Sequence, residues 1–232
     1  MTSRAGASAE LGSILRSVLL EPKAGFSAAF TSAGRRAGAG RSPAEGLSPY
    51  VGAALGGAGL MLAWLKVGAL IGLRGGTGEG HLWAYTAATA TAGAVVALVA
   101  LPLWGLAGSL VTRALGVTTR ARDVRIVGGL SGFPQVFGLV VLLPLDLVIA
   151  GPASYTSQRL TDPVSRFWAA FSVAAAVALV VWSIAVFIKG MQSLGQMRLG
   201  RAAATGVLAA ACMTGVAIAL IVGTAALAGA LA

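Results

Sequence analysis

Residues 60–73 read LMLAWLKVGALIGL, an apolar run with one lysine, Lys66, near its middle. The run belongs to a segment, 50–73, long enough to cross ~30 Å of hydrocarbon at 1.5 Å per residue. Four more segments of that kind follow, at about 86–112, 126–150, 167–188 and 203–231. Of the 232 residues 57% are hydrophobic and only 10% charged, whereas soluble domains carry about a quarter charged residues. So few charges cannot clothe a water-facing surface. The expectation is all-α: a polytopic membrane helical bundle of five transmembrane helices.

Five spans put the termini on opposite sides, and the basic residues orient them. The N-terminal region holds Arg4, Arg16, Lys23, Arg35, Arg36 and Arg41. The second-to-third connection holds Arg113, Arg120, Arg122 and Arg125, and the fourth-to-fifth holds Lys189, Arg198 and Arg201. The opposite side has only Arg74, Arg159 and Arg166. Basic residues stay cytoplasmic during insertion, so the N-terminus is expected inside and the C-terminus outside. The net charge of +10 is then a topology signal, with attraction to anionic headgroups at the cytoplasmic face; nucleic acid is not needed to explain it. Arginine in excess over lysine, with abundant alanine and glycine, points to a GC-rich bacterial genome and a cell (inner) membrane.

Residues 1–49 form a polar cytoplasmic region ahead of the membrane domain, 50–232. Within it Leu11, Ile14, Leu15, Val18 and Leu19 recur at helical spacing, an amphipathic helix at about 8–20 that ends before Pro22 and lies on the membrane or on the protein's own loops. Its apolar core is too broken for a signal peptide.

Inside the spans, small residues four apart (Gly52/Gly56, Gly68/Gly72, Gly128/Gly132, Ala219/Gly223) let helix backbones approach. Pro102 interrupts the second span and Pro134 and Pro144 the third, each removing one backbone hydrogen bond. The carbonyls of Leu98, Leu130 and Val140 then need other partners, because lipid offers none. The third span is expected to be the least regular. It also carries Gln135 and Asp146, so it faces the interior. Lys66 lies about seven residues, ~10 Å, below the outer end of its span, and an ammonium there costs ~2.5–3.5 kcal/mol. Its side chain leans toward the helix N-terminus, away from the nearer water. Asp146 is the one acid in these five segments. It sits ~6 Å below the outer end of a span running parallel to the first. The two are expected to pair, the alternative being that each reaches a water-filled crevice separately.

Three stretches resemble the Yip domain family, the Ypt/Rab-interacting multi-pass membrane proteins and their bacterial relatives. LLEPKAGFSAAF (19–30) is similar to the family's pre-membrane motif with Pro and Phe. TRALGVTTRARDVRIVGGLSGFP (112–134) resembles its second-span exit, basic loop and Ser-x-x-Pro entry to the third span. WSIAVFIKGMQSLGQMRLGRAAATGVL (182–208) resembles its fourth span and the turn into a small-residue fifth. Leu130 stands where the family often has Tyr, Gly116 is not followed by a second Gly, and the acidic, aromatic Rab-binding motifs are missing. The resemblance implies a five-span fold and a bacterial-type member, without Rab binding.

No catalytic constellation emerges. His81 and Glu79 stand in a Gly-rich connection, GGTGEGH, that neither follows a strand nor opens a Walker-type loop. One cysteine, Cys212, and one histidine cannot form the usual Cys/His zinc sites, and no cofactor is implied. The expected role is a non-catalytic scaffold or adaptor for membrane organisation or protein partners, either an unidentified membrane protein or a second copy of the chain. The alternative is a small-solute or ion transporter or channel using Lys66, Gln135 and Asp146. A reporter active only outside the membrane should be silent when fused after Gly116 or Gly195 and active after Gly76 or Ala232. A silent fusion at Ala232 would mean that the span count is wrong.

Overall fold

The computed structural model describes residues 20–21, 26, 43–70, 82–151, 155 and 162–213. All secondary structure among them is helical: α1 (Pro43–Leu70), α2 (Leu82–Ala114), α3 (Ala121–Leu130), α4 (Gln135–Phe137), a π-helical turn (Gly138–Leu142), α5 (Leu143–Ile149), α6 (Pro163–Gly195) and α7 (Leu199–Met213). Four stretches are long and apolar enough to cross a membrane: Pro49–Gly68, Ala84–Ala114, Ala121–Ile149 and Pro163–Leu194. The fifth expected span begins as α7, and its continuation lies outside the described residues, as do the amphipathic helix at 8–20, His81, Gly72, Ala219 and Gly223.

The bundle is apolar outside and keeps its few membrane-level charges within. Val95, Val96, Val99, Leu103, Leu106 and Leu110 line the exposed side of α2, while Lys66, Asp146, Gln135 and Ser172 are buried. That is the arrangement lipid demands, since hydrocarbon solvates Val and Leu and refuses charge.

α1 is the most enclosed of the four described spans, and glycine is the reason. A Cβ on Gly56 would stand 2.7 Å from the Gly132 Cα, and one on Gly59 would stand 2.8 Å from the Gln135 carbonyl oxygen. Gly52 abuts Gly129 in the same way. These contacts ascend together along both chains, so α1 and the third span run parallel. On its other side Gly57 meets Gly93 of α2, backbone against backbone. Gly52, Gly56 and Gly132 of the expected small-residue pairs thus work within the chain, but Gly129 rather than Gly128 makes the backbone contact. Gly128 instead admits the Trp104 indole.

α1 begins at Pro43, ahead of the expected boundary at residue 50. Proline is tolerated in the first turn, where its missing N–H has no partner to lose. Pro49 lies inside the same helix without ending it. α2 likewise runs unbroken through Pro102. It closes with a Schellman turn: Val117 N–H donates to the Thr112 carbonyl at 2.8 Å and Gly116 N–H to Arg113 at 3.0 Å. Gly116 sits at φ 78°, a left-handed conformation that glycine adopts without strain.

The third span is irregular, and its two prolines are met differently. Pro134 cannot donate to Leu130, and Phe133 N–H does so instead at 3.2 Å. A tight turn over 131–134 results. Ahead of Pro144 the helix widens into the π turn, in which Leu143 N–H reaches back to Gly138. The span starts five residues before its expected limit, at Ala121, so Asp123 joins its first turn. α6 opens on Asp162, whose Oδ2 accepts from Ser165 N–H at 2.8 Å. This bond, with a second from the Ser165 hydroxyl, holds the Asp162 carboxyl below the usual carboxylate range.

At the end that carries Arg113, Arg120, Lys189 and Arg198, an apolar cluster joins α3, α6 and α7. Val124, Val127, Val186, Phe187, Met191 and Ala202 form it, and Phe26 of the N-terminal region is fully buried among them. The Phe26 ring lies against Gly190, where a Cβ would stand 2.8 Å from it.

Gly56→Leu should lower stability by about 1–3 kcal/mol or more, because backbone rather than a movable side chain fills the space. Gly138→Ala, whose Cβ would meet only Leu179 Cδ1 at 3.6 Å, should be neutral. Unfolding in mixed micelles separates the two.

A buried ion pair joining three spans

Small side chains and Lys66 share one face of α1. Gly52, Gly56, Gly59, Ala63 and Lys66 follow one another at three- and four-residue steps, the spacing of a helical stripe. The seam that lets Gly59 touch Gln135 therefore delivers Lys66 to the same interior about two turns higher. Gln135 and Asp146 lie about three turns apart on the third span, and both are buried. α6 presents a matching stripe, Trp168, Ser172, Ala176, Leu179 and Ser183.

Lys66 Nζ forms an ion pair with Asp146 Oδ2. The two side chains are 6% and 1% exposed, so the pair is closed off from solvent. Lys66 also donates to Ser172 Oγ at 2.8 Å, and its ammonium lies 5.6 Å from the centre of the Tyr155 ring. Asp146 accepts from the Tyr155 hydroxyl at 2.8 Å and, on Oδ1, from Trp168 Nε1 at 3.0 Å. Gln135 Nε2 donates to Ser183 Oγ at 3.3 Å. Leu62, Leu65, Leu143 and Leu147 pack around Tyr155.

The sequence-predicted residues therefore fall into two groups. Lys66 and Asp146 are in contact, and Gln135 stands deeper on the same interior face. Pro134 and Pro144 bracket the segment that carries Gln135, while Pro102 lies on α2, apart from the cluster. Sequence reading missed Tyr155, Trp168 and Ser172. Trp168 and Ser172 had a readable signal, since they lie one turn apart near the same membrane level as Asp146. Tyr155 had none, because it comes from the connection between two spans.

Tyr155 acts as a donor throughout the ordinary pH range. Burial pushes its phenol up from the usual tyrosine value, and the Asp146 charge adds to that shift. Among the described residues Lys66, Tyr155 and Trp168, from three parts of the chain, donate to the Asp146 carboxylate, and bonds of this kind to a charged acceptor are the strong ones. Among the described residues no group of three or more His, Cys, Asp or Glu side chains could hold a metal ion.

Comparison of the chain with family models, with curated proteins and with solved structures returns no match.

The single changes Lys66→Met and Asp146→Leu should each cost about 3–5 kcal/mol by stranding the other charge. The double change should recover most of that loss. Tyr155→Phe should cost about 1.5–3 kcal/mol, the range for a hydrogen bond to a charged group. A double-mutant cycle on unfolding in micelles measures all three, and strict additivity of the first two would show that the charges do not interact.

Proposed function

We propose that this protein is a non-catalytic multi-pass membrane protein that serves as a scaffold or adaptor. In this reading it is a Yip-like, bacterial-type, five-span protein of the cell inner membrane, with its N-terminus in the cytoplasm and its C-terminus outside. The observation that carries the proposal is the state of its interior charges. Lys66 and Asp146 are bound to each other and to Ser172, Tyr155 and Trp168, so the first, third and fourth spans are locked rather than left with a free carboxylate or ammonium for cargo. A transport route wants intramembrane polar groups that face a path and exchange partners.

The working surface in this reading is the end opposite the ion pair. Arg113, Arg120, Arg122, Lys189, Arg198 and Arg201 are exposed there, set to meet anionic headgroups or an acidic face of a membrane protein partner. A transporter is the second reading, favoured by one feature: Lys66 and Gln135 line a common cavity.

Photocrosslinking from exposed positions in the 113–122 and 198–201 region, followed by capture from native membranes, tests the first reading. A reproducible partner that survives the paired change Lys66→Met/Asp146→Leu supports the scaffold. Solute- or proton-driven flux in proteoliposomes that this paired change abolishes would replace it with the transporter.

A further inference from the structure

Arg125 stands at the basic end of the bundle, ~6 Å into the third span from its start at Ala121. Its stem crosses α2 at a notch that a glycine leaves open. A Cβ on Gly105 would overlap Arg125 Cγ, and would stand 3.0 Å from Cδ and 2.7 Å from the Ala121 carbonyl oxygen. Past that notch the guanidinium reaches the first span, where Nη1 donates to the Tyr50 hydroxyl at 3.4 Å. Three helices therefore hold one arginine: α3 carries it, α2 seats its stem and α1 steadies its head.

The charge has no partner of opposite sign. A guanidinium carries five N–H donors. Among the described residues Tyr50 takes one of them, by a long bond, and no carboxylate pairs with Arg125. Asp123 is two residues away on the same helix, a spacing that sets the two on different faces. Arg122, three residues before Arg125, does share its face, and it is exposed. The Arg125 side chain is half-buried and its bond to Tyr50 lies at the surface, so the stem is covered while the head stays accessible.

The level in the membrane names the ligand. Tyr50 is the second residue of the apolar stretch Pro49–Gly68, at the edge where tyrosine is enriched and headgroups begin. Val51 beside Tyr50 and Leu106 beside Gly105 are exposed, an apolar wall for acyl chains. The planar arginine fork matches phosphate oxygens in paired bonds, and a tyrosine hydroxyl that accepts from the arginine still has its own proton to donate. We propose that Arg122, Arg125 and the Tyr50 hydroxyl form a binding site for the phosphodiester of an anionic phospholipid. A zwitterionic headgroup would bring its ammonium beside two arginines, and a free phosphate would leave Val51 and Leu106 uncovered. The site rests on the headgroup reading of the basic end and narrows it to fixed positions. It needs no protein partner, so its failure would leave the crosslinking test of the scaffold standing.

Native mass spectrometry of the full chain in micelles, titrated with phosphatidylglycerol or with phosphatidylcholine, reads the first bound lipid. Phosphatidylglycerol is expected to bind the tighter of the two. Arg125→Gln should weaken that first step by about tenfold or more, the worth of a hydrogen bond to a charged group. Arg122→Gln and Tyr50→Phe should weaken it to a lesser degree. Arg166→Gln removes an exposed charge at the other end of the bundle and should leave it unchanged. Melting in lipid-free micelles reports that each variant is folded, and if Arg125→Gln is not, Arg122→Gln and Tyr50→Phe decide the matter. Equal weakening by Arg166→Gln would reduce the effect to overall charge and overturn the proposal. So would equal affinity for the two lipids, or displacement of phosphatidylglycerol by excess inorganic phosphate, which would give the site to a soluble anion.

Discussion

Close approach of two backbones governs this bundle. Gly52, Gly56 and Gly59 bring α1 against Gly129, Gly132 and Gln135 with no side chain between them on the glycine side. In lipid there is no hydrophobic drive to press helices together, because the tails are as apolar as leucine. Packing and hydrogen bonding must do it. The seam supplies the packing and fixes the register of the first span on the third. Gly57 against Gly93 repeats the device on the other side, which places α1 between its neighbours.

The charged cluster follows from that register. Desolvating two ions costs several kcal/mol each, and mutual attraction repays it only with good geometry and with the remaining lone pairs satisfied. Here Tyr155 and Trp168 share the carboxylate with Lys66, and Ser172 takes a second donor of the ammonium. The cluster draws on four parts of the chain: α1, the third span, the connection after it and α6. Its structural value lies in specificity. A buried pair with directional partners reinforces the register that the glycine seam sets.

Irregularity in the third span serves the same end. The turn at 131–134 and the π turn before Pro144 let one chain segment keep Gly129 and Gly132 against α1, then Gln135 against α6, then Asp146 against both. Straight helices crossing at an angle diverge, and a broken one follows its neighbours further. At the opposite end, where Arg113, Arg120, Lys189 and Arg198 are exposed, the bundle is closed by an apolar cluster that includes Phe26.

The membrane class, the apolar helices and the Lys66–Asp146 contact were legible in the sequence for definite reasons. Length and hydropathy set the spans, and a lone intramembrane lysine and acid on parallel spans at similar depth left each little other company. The irregular third span was legible from Pro134 and Pro144, because proline's missing N–H is a covalent fact. Which groups partner Asp146 was decided by the tertiary structure, although the depth of Trp168 was readable. Several serines and aromatics lie at a suitable depth, and which of them faces inward depends on the rotation of α6 about its axis. That rotation is set by side-chain packing summed over the whole helix. Tyr155 depends further on the course of a connection that has no periodicity to read. The start of α1 at Pro43 and the choice of Gly129 over Gly128 belong with these, since each is settled by what the neighbouring helix places opposite.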